Sequence, residues 1–214
     1  NKIFIHQHIA RFDADNKSID TVNQRYNELY SGEIDLVIGT QVVAKGLDLP
    51  NLRTVGVIQA DSGLSLPDYT STERTFQLLA QVIGRVGRSH HPTKVIVQSY
   101  QPNHSSVQYG LTQNYDNFYE KTIAQRKHTN FPPFCHLLKL ICVYKTEKSA
   151  INNSKKLADL LKGYSNTQTQ ILGPTPAFYE RVHDTYRWQL VVKSPDRKDL
   201  LDLLKHLPRS HWQY

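Results

Sequence analysis

Gln81-Val-Ile-Gly-Arg-Val-Gly-Arg88 sets Arg85 and Arg88 three residues apart, which puts both guanidiniums on one side of a helix. Planar, permanently charged guanidiniums at fixed spacing suit the charge of a transferring phosphoryl group. The intervening glycines leave room for close approach to a ligand or another chain segment. Gln81 lies four residues before Arg85 on the same helical face. Upstream, an apolar run, Asp35-Leu-Val-Ile38, opens into a loop bearing Thr40, Gln41, Lys45, Gly46 and Asp48. A hydroxyl and an amide directly after a strand can hold backbone phosphate oxygens, as a binder indifferent to base sequence does. Plainer uses exist for each. Thr40 can satisfy a loop backbone group, Lys45 can sit in solvent, Asp48 can form a turn before Pro50, and the arginines can pair with Glu73 or Asp61.

A second constellation lies near the C-terminus. Arg181, Tyr186, Arg187 and Trp188 interleave basic and aromatic groups, which suits single-stranded nucleic acid, with bases on rings and phosphates on arginines. Alternation along a strand equally allows Tyr186 and Trp188 to face a core. Glu73 and Arg74 read as an ion pair or cap. Ten histidines are scattered without a carboxylate or cysteine partner at ligand spacing. Cys135 and Cys142 form no C-x-x-C pair, and an odd separation along one strand sets them on opposite faces, so neither a local disulfide nor a cysteine zinc site is expected. They read as reduced, small apolar residues.

The elements that position these groups alternate. Ile9–Asp13 reads as a strand, Ser18–Tyr30 as a helix stopped at Gly32, and Asp35–Gly39 and Thr54–Ile58 as continuous apolar strands of the kind buried on both faces of a parallel sheet. Ser71–Arg85 reads as a helix capped by Ser71 or Thr72, and Lys94–Tyr100 as a third buried strand. Strand–helix–strand alternation predicts an α/β layer on a parallel sheet. Gln101-Pro102-Asn103-His104 is a natural boundary, giving units 1–102 and 103–214. Beyond it, Ser106–His128 reads as one or two helices, His136–Tyr144 as a strand and Lys148–Leu161 as an amphipathic helix. Gln168–Leu172, Ala177–Val182 and Trp188–Val192 read as strands, Asp199–Leu204 as a helix, and the end as a final strand, together a small α+β domain.

A chain of 214 residues with 39% hydrophobic and 21% charged content fits one or two globular domains. No apolar run approaches membrane-spanning length, so no membrane partner is expected. The chain contains no Met and opens on Asn1-Lys-Ile-Phe4, which reads as the interior of a longer protein. Residues 1–102 carry 10 Lys and Arg against 10 Asp and Glu, whereas residues 103–214 carry 16 against 9, so the whole net charge of +7 sits in the second half. Such a half suits phosphates, and a generic basic surface fits it as well.

The Gln81–Arg88 element resembles motif VI of superfamily 2 helicases, and Ile38-Gly-Thr-Gln-Val-Val-Ala-Lys-Gly-Leu-Asp-Leu-Pro50 resembles motif V. With Asp61 and Pro67-Asp-Tyr-Thr-Ser-Thr-Glu-Arg74, the run Ile38–Arg88 is similar to the PriA family of primosomal replication-restart helicases. Gln125-Arg-Lys127, Phe131-Pro-Pro-Phe134, Leu172-Gly-Pro-Thr-Pro-Ala177, Tyr186-Arg-Trp-Gln-Leu190 and Lys193-Ser-Pro-Asp-Arg197 match the C-terminal region of that family, so the resemblance covers nearly the whole chain.

The resemblance implies a second RecA-like motor lobe followed by a C-terminal domain. It implies Arg85 and Arg88 as arginine fingers on the γ-phosphate, Gly46 beside the nucleotide, Asp48 orienting the arginines, and Gln81 coupling nucleotide state to the opposing lobe. It implies DNA contacts by Thr40, Gln41, Lys45, Arg181 and Arg187. Gln189 would be a polar contact in a pocket for the acidic tail of single-stranded DNA-binding protein, where many relatives carry a basic residue at the position of Thr185. ATP and Mg2+ would be shared with a first lobe, and Zn2+ would be held upstream. No G-x-x-x-x-G-K-[ST] loop and no D-E-x-H motif occur in the chain, so the chain alone is expected to be inactive. The intact protein would be a cytoplasmic, nucleoid-associated bacterial ATP-dependent 3′→5′ DNA helicase. It would act on single-stranded and forked DNA with primosome loading proteins. The alternative is a non-enzymatic scaffold for DNA or single-stranded DNA-binding protein, with a degenerate lobe.

Overall fold

The computed structural model describes residues 6–12, 26–40, 49, 51–84 and 93–208, and the backbone of 212–213. The chain forms two compact units, Asn1–Tyr119 and Glu120–Tyr214.

In the first unit, strand β1 (Ile9–Phe12), helix α1 (Tyr26–Ser31) and strand β2 (Leu36–Gly39) make a parallel strand–helix–strand unit, with Ile9 opposite Leu36 and Phe12 opposite Gly39. Ala10, Phe12 and Leu29 are its buried centre. Strands β3 (Thr54–Val57) and β4 (Lys94–Val97) pair in parallel, Thr54 opposite Lys94. A 3-10 turn at Ser62–Ser65 and helix α2 (Ser71–Ile83) lie between them in sequence. The expected parallel α/β layer is present in both pairs.

Burial on both strand faces is not. Val57 and Val97 pack on Ala60, Leu79 and Val107, whereas Ile38, Ile58 and Ile96 are half to mostly exposed. Exposure alternates along β3 and β4 as in a sheet covered on one face, whereas β2 is half-buried at Leu36 and Val37 and open at Ile38 and Gly39. The cap of α2 also differs. The N-cap position is Thr70, whose hydroxyl donates to Asp68 Oδ1 at 2.8 Å, and the Ser71 hydroxyl donates to the Asp68 carbonyl at 2.7 Å. Both hydroxyls serve the preceding turn instead of the helix's free N–H groups.

Helix α3 (Ser105–Thr112) is capped by His104 and belongs to the first unit. The two compact units meet inside helix α4 (Tyr115–His128). A Cβ on Gly110 would lie 2.8 Å from Leu79 Cβ, so α3 sits directly on α2. Phe118, early in α4, stacks on Phe76 at 4.1 Å.

The second unit contains the end of α4, strand β5 (His136–Tyr144), helix α5 (Glu147–Tyr164), strand β6 (Gln170–Val182), strand β7 (Thr185–Ser194), helix α6 (Arg197–Lys205) and strand β8 (Trp212–Gln213). The strands form one antiparallel sheet in the order β6-β7-β5-β8. Leu140 and Cys142 of β5 and Leu190 and Val192 of β7 meet Leu157, Ala158 and Leu161 of α5 and Leu200 and Leu203 of α6. Thr146 caps α5 and Asp196 caps α6, each side chain accepting a backbone N–H of the first turn. The two strands expected at Gln168–Leu172 and Ala177–Val182 are one long strand with irregular register. Gly173 makes this possible. Its φ of +99 is left-handed, and a Cβ there would lie 2.9 Å from the Gln189 carbonyl oxygen of β7.

Candidate nucleotide and nucleic-acid sites

In the first unit the candidate groups follow the carboxyl ends of parallel strands, where α/β sheets bind ligands. Thr40 follows β2 directly. Its backbone N–H donates to the Phe12 carbonyl at 3.2 Å, and the residue is exposed. Asp61 follows β3 and is 4% exposed. Its Oδ2 accepts from Ser99 Oγ at 2.9 Å and from the Gln101 N–H at 2.7 Å, tying together the exits of β3 and β4. Burial pushes this carboxyl up, and those hydrogen bonds more than offset it, leaving it below the usual carboxylate range. Its Oδ1 has no hydrogen-bond partner among the described residues.

Gln81 is half-buried in the last turn of α2, and Gly84 is the C-cap. Gln41, Lys45, Gly46, Asp48, Arg85 and Arg88 lie outside the described residues. A residue that sequence reasoning missed acts here. Gln113, held at φ 52 after α3, donates its side-chain amide to the Ala80 carbonyl at 3.1 Å. It closes the end of α2 just ahead of the arginine element, and nothing in its local sequence signals this long-range partner. Arg74 pairs with Asp68 at 3.2 Å, a mostly exposed contact that holds the turn before α2.

In the second unit the interleaved residues divide between two faces. Arg181 lies opposite Tyr186, and its guanidinium carbon is 5.5 Å from that ring's centre. Trp188 lies opposite Cys142, on the helix-covered side, and is half-buried. Arg187 lies opposite Val143, and Gln189 lies opposite Ile141 and Thr175, on the other face. Arg187 Nε, Trp188 Nε1 and Gln189 Oε1 are buried without a hydrogen-bond partner among the described residues. Arg187 and Gln189 are thus brought together, and Arg181 is not with them. The Thr185 hydroxyl donates to the Val182 carbonyl at 2.8 Å and closes the β6–β7 hairpin.

Other groups hold the fold. Lys193 Nζ donates to the Thr129 and Asn130 carbonyls at 3.3 Å and lies 3.6 Å from the centre of the Phe131 ring, which clamps the Phe131-Pro-Pro-Phe134 turn. Cys135 precedes β5 and donates to the Asn130 carbonyl, and both cysteines are free and buried. Burial pushes the Cys142 thiol up to about 11. Among the described residues, no cluster of three or more His, Cys, Asp or Glu is placed to hold a metal, and no helix is long and apolar enough to cross a membrane.

Comparison with known proteins gives both units a family. Residues 4–90 match the helicase conserved C-terminal domain, and residues 127–212 match the primosomal protein N C-terminal domain. The chain is 37% identical over 207 residues to the replication restart protein PriA of Bacillus subtilis, covering 96% of this chain and 26% of that protein. It is 40% identical over 186 residues to the Synechocystis protein of the same name, covering 86% of this chain and 22% of that protein. With Haemophilus influenzae PriA it shares 32% over 209 residues, 97% of this chain and 29% of the relative. The chain spans about a quarter of the length of the curated relatives it matches. With a helicase C-terminal domain in its first half and a primosomal protein N C-terminal domain in its second, the chain belongs to the PriA family of replication restart proteins.

Proposed function

We propose that the chain supplies the second motor lobe and the C-terminal domain of an ATP-dependent DNA helicase that moves 3′→5′, restarts stalled forks and initiates primosome assembly. Residues 1–102 act as the motor lobe and 103–214 as the basic domain that meets DNA and partners. The observation that carries this reading is the Gln81–Arg88 element at the end of α2, within a stretch that matches the helicase conserved C-terminal domain.

Arg85 and Arg88 stabilise charge on the γ-phosphate as water attacks it. Gly46, Asp48 and Gln81 line the same nucleotide, and a first lobe supplies the phosphate loop and holds Mg2+. Thr40, Gln41 and Lys45 grip the DNA backbone, and Arg181 and Arg187 extend the contact in the second unit. Gln189 contacts the tail of single-stranded DNA-binding protein. Zn2+ is held by residues outside this chain. The protein works in the bacterial cytoplasm, associated with the nucleoid.

The test uses the longer protein with both lobes. Arg85→Ala lowers kcat for ATP by on the order of 10³-fold while ATP binding changes little, because the contact tightens in the transition state. Equal losses in binding and turnover would mean a ground-state or structural role instead. The 214-residue chain alone shows no ATPase activity with or without DNA, and DNA-stimulated turnover by it would sink the lobe assignment.

A further inference from the structure

Phe178 and Tyr179 are neighbours in β6, and neighbours in a regular strand point to opposite faces. Their rings instead meet edge to face, 4.9 Å between centres and 76° between planes. The register explains this. From the Pro176–Trp188 pair to the Arg181–Tyr186 pair, β6 advances five residues while β7 advances two. The three extra residues form a bulge, which re-aims side chains and recurs beside functional sites. β6 is also the edge strand of its sheet among the described residues, so the bulge faces no further described strand.

The two rings are 52% and 67% exposed. Two adjoining aromatic rings left in water forgo burial worth having in a fold. Arg181 follows the bulge, itself exposed, with its guanidinium over Tyr186. The hairpin also carries Glu180 and Asp184, so the charge beside the rings is balanced. An acidic partner held by charge alone does not fit such a surface. Flat apolar faces next to a single arginine, on the half of the chain that carries the +7 charge, fit a ligand that brings its own rings and few phosphates to this spot.

We propose that the Phe178–Tyr179 bulge is a stacking platform for unpaired nucleobases of single-stranded nucleic acid, with Arg181 meeting one adjacent phosphate. This rests on the reading of the second unit as a nucleic-acid-binding domain and assigns it a base-contacting site. Every base has a π-face, so the platform is indifferent to sequence. The rings contribute most of the local affinity, and Arg181 contributes little salt dependence.

The test is fluorescence anisotropy with the whole 214-residue chain. One probe is a labelled thymidine oligomer of about 15 nucleotides, and the other is an abasic deoxyribose-phosphate oligomer of equal length and charge. Phe178→Leu and Tyr179→Leu keep apolar bulk and remove the π-face. Each weakens thymidine-oligomer binding at least about fivefold and leaves abasic binding unchanged, with an unchanged circular dichroism spectrum. Arg181→Gln reduces the slope of log K against log salt by about 0.7 on both oligomers. Unaltered thymidine affinity in the double leucine variant overturns the platform and leaves the nucleic-acid reading of the unit standing. Failure of the parent chain to bind either oligomer overturns both. Equal losses on the two oligomers overturn stacking. Concentration-dependent association of the parent, abolished in the double leucine variant, shows a second copy covering the rings and also overturns it.

Discussion

The side-chain amide of Gln113 donates to the carbonyl oxygen of Ala80 at 3.1 Å, and a Cβ placed on Gly84 would lie 3.2 Å from that same amide nitrogen. The Ala80 carbonyl also accepts from the Gly84 N–H at 2.9 Å, so Gln113 fills its second lone pair from the end of α3. Gln113 holds φ 52 to do so.

Two opposing effects act at position 113. Gln113→Ala loses a hydrogen bond worth about 1 kcal/mol and keeps a Cβ in the left-handed region. Gln113→Gly loses the same bond and relaxes the backbone. The order of stability is therefore wild type, then glycine, then alanine, measured by urea unfolding. Alanine more stable than glycine would mean that the left-handed backbone carries no strain.

Gly110 lies where α3 meets α2, and its missing Cβ is what allows the approach to Leu79. Alanine is the better helix former by about 1 kcal/mol, but overpacking against a fully buried leucine costs about 1–3 kcal/mol. The second effect wins because the clash is with Leu79 Cβ, which cannot swing away. Gly110→Ala lowers the thermal midpoint, and a raised midpoint would show that the helices separate freely.

Trp188 faces the helices of the second unit across from Cys142. Trp188→Ala costs about 3 kcal/mol of stability, the low end for a large ring because this one is half-buried. Trp188→Phe costs far less, since it keeps the ring and removes an indole N–H that has no partner among the described residues. Single-strand affinity is unchanged in Trp188→Phe. A stable Trp188→Ala variant with weakened DNA binding would put this ring on the ligand instead.

Acid sensitivity follows from Asp199. The Ser194 hydroxyl donates to its Oδ2 at 2.7 Å, and with Asn166 it holds the carboxyl below the usual range. The folded chain then binds fewer protons than the unfolded chain just below the ordinary aspartate pKa of about 3.9. That stabilisation is present above this value and is lost as pH falls through the lower folded value. Unfolding measured between about pH 5 and 2 shows stability dropping with acid, with a shallower drop in Asp199→Asn. An identical slope in the variant would rule out this group.

The local rules of the chain were legible without coordinates. His136–Tyr144 alternates as a strand must, and the structure places β5 on those residues. The strands of the first unit were legible as short apolar runs, and the amphipathic helix after Lys148 from its 3.6-residue period, a property of the backbone itself. The arginine element and the family phrases are likewise written in consecutive residues. Tertiary structure alone settled what depends on residues distant in sequence. Alternation within β7 already sets Arg187 and Gln189 on one face, but strand pairing decided that Arg181 lies opposite Tyr186 on the other. Helix cover on one side left Ile58 and Ile96 open. Gln113 found Ala80 across two helices, and three extra residues in β6 brought the Phe178 and Tyr179 rings together where simple alternation would part them. Each outcome is set by register and approach between segments, and a one-residue change of register reverses a side chain's face without altering any local propensity.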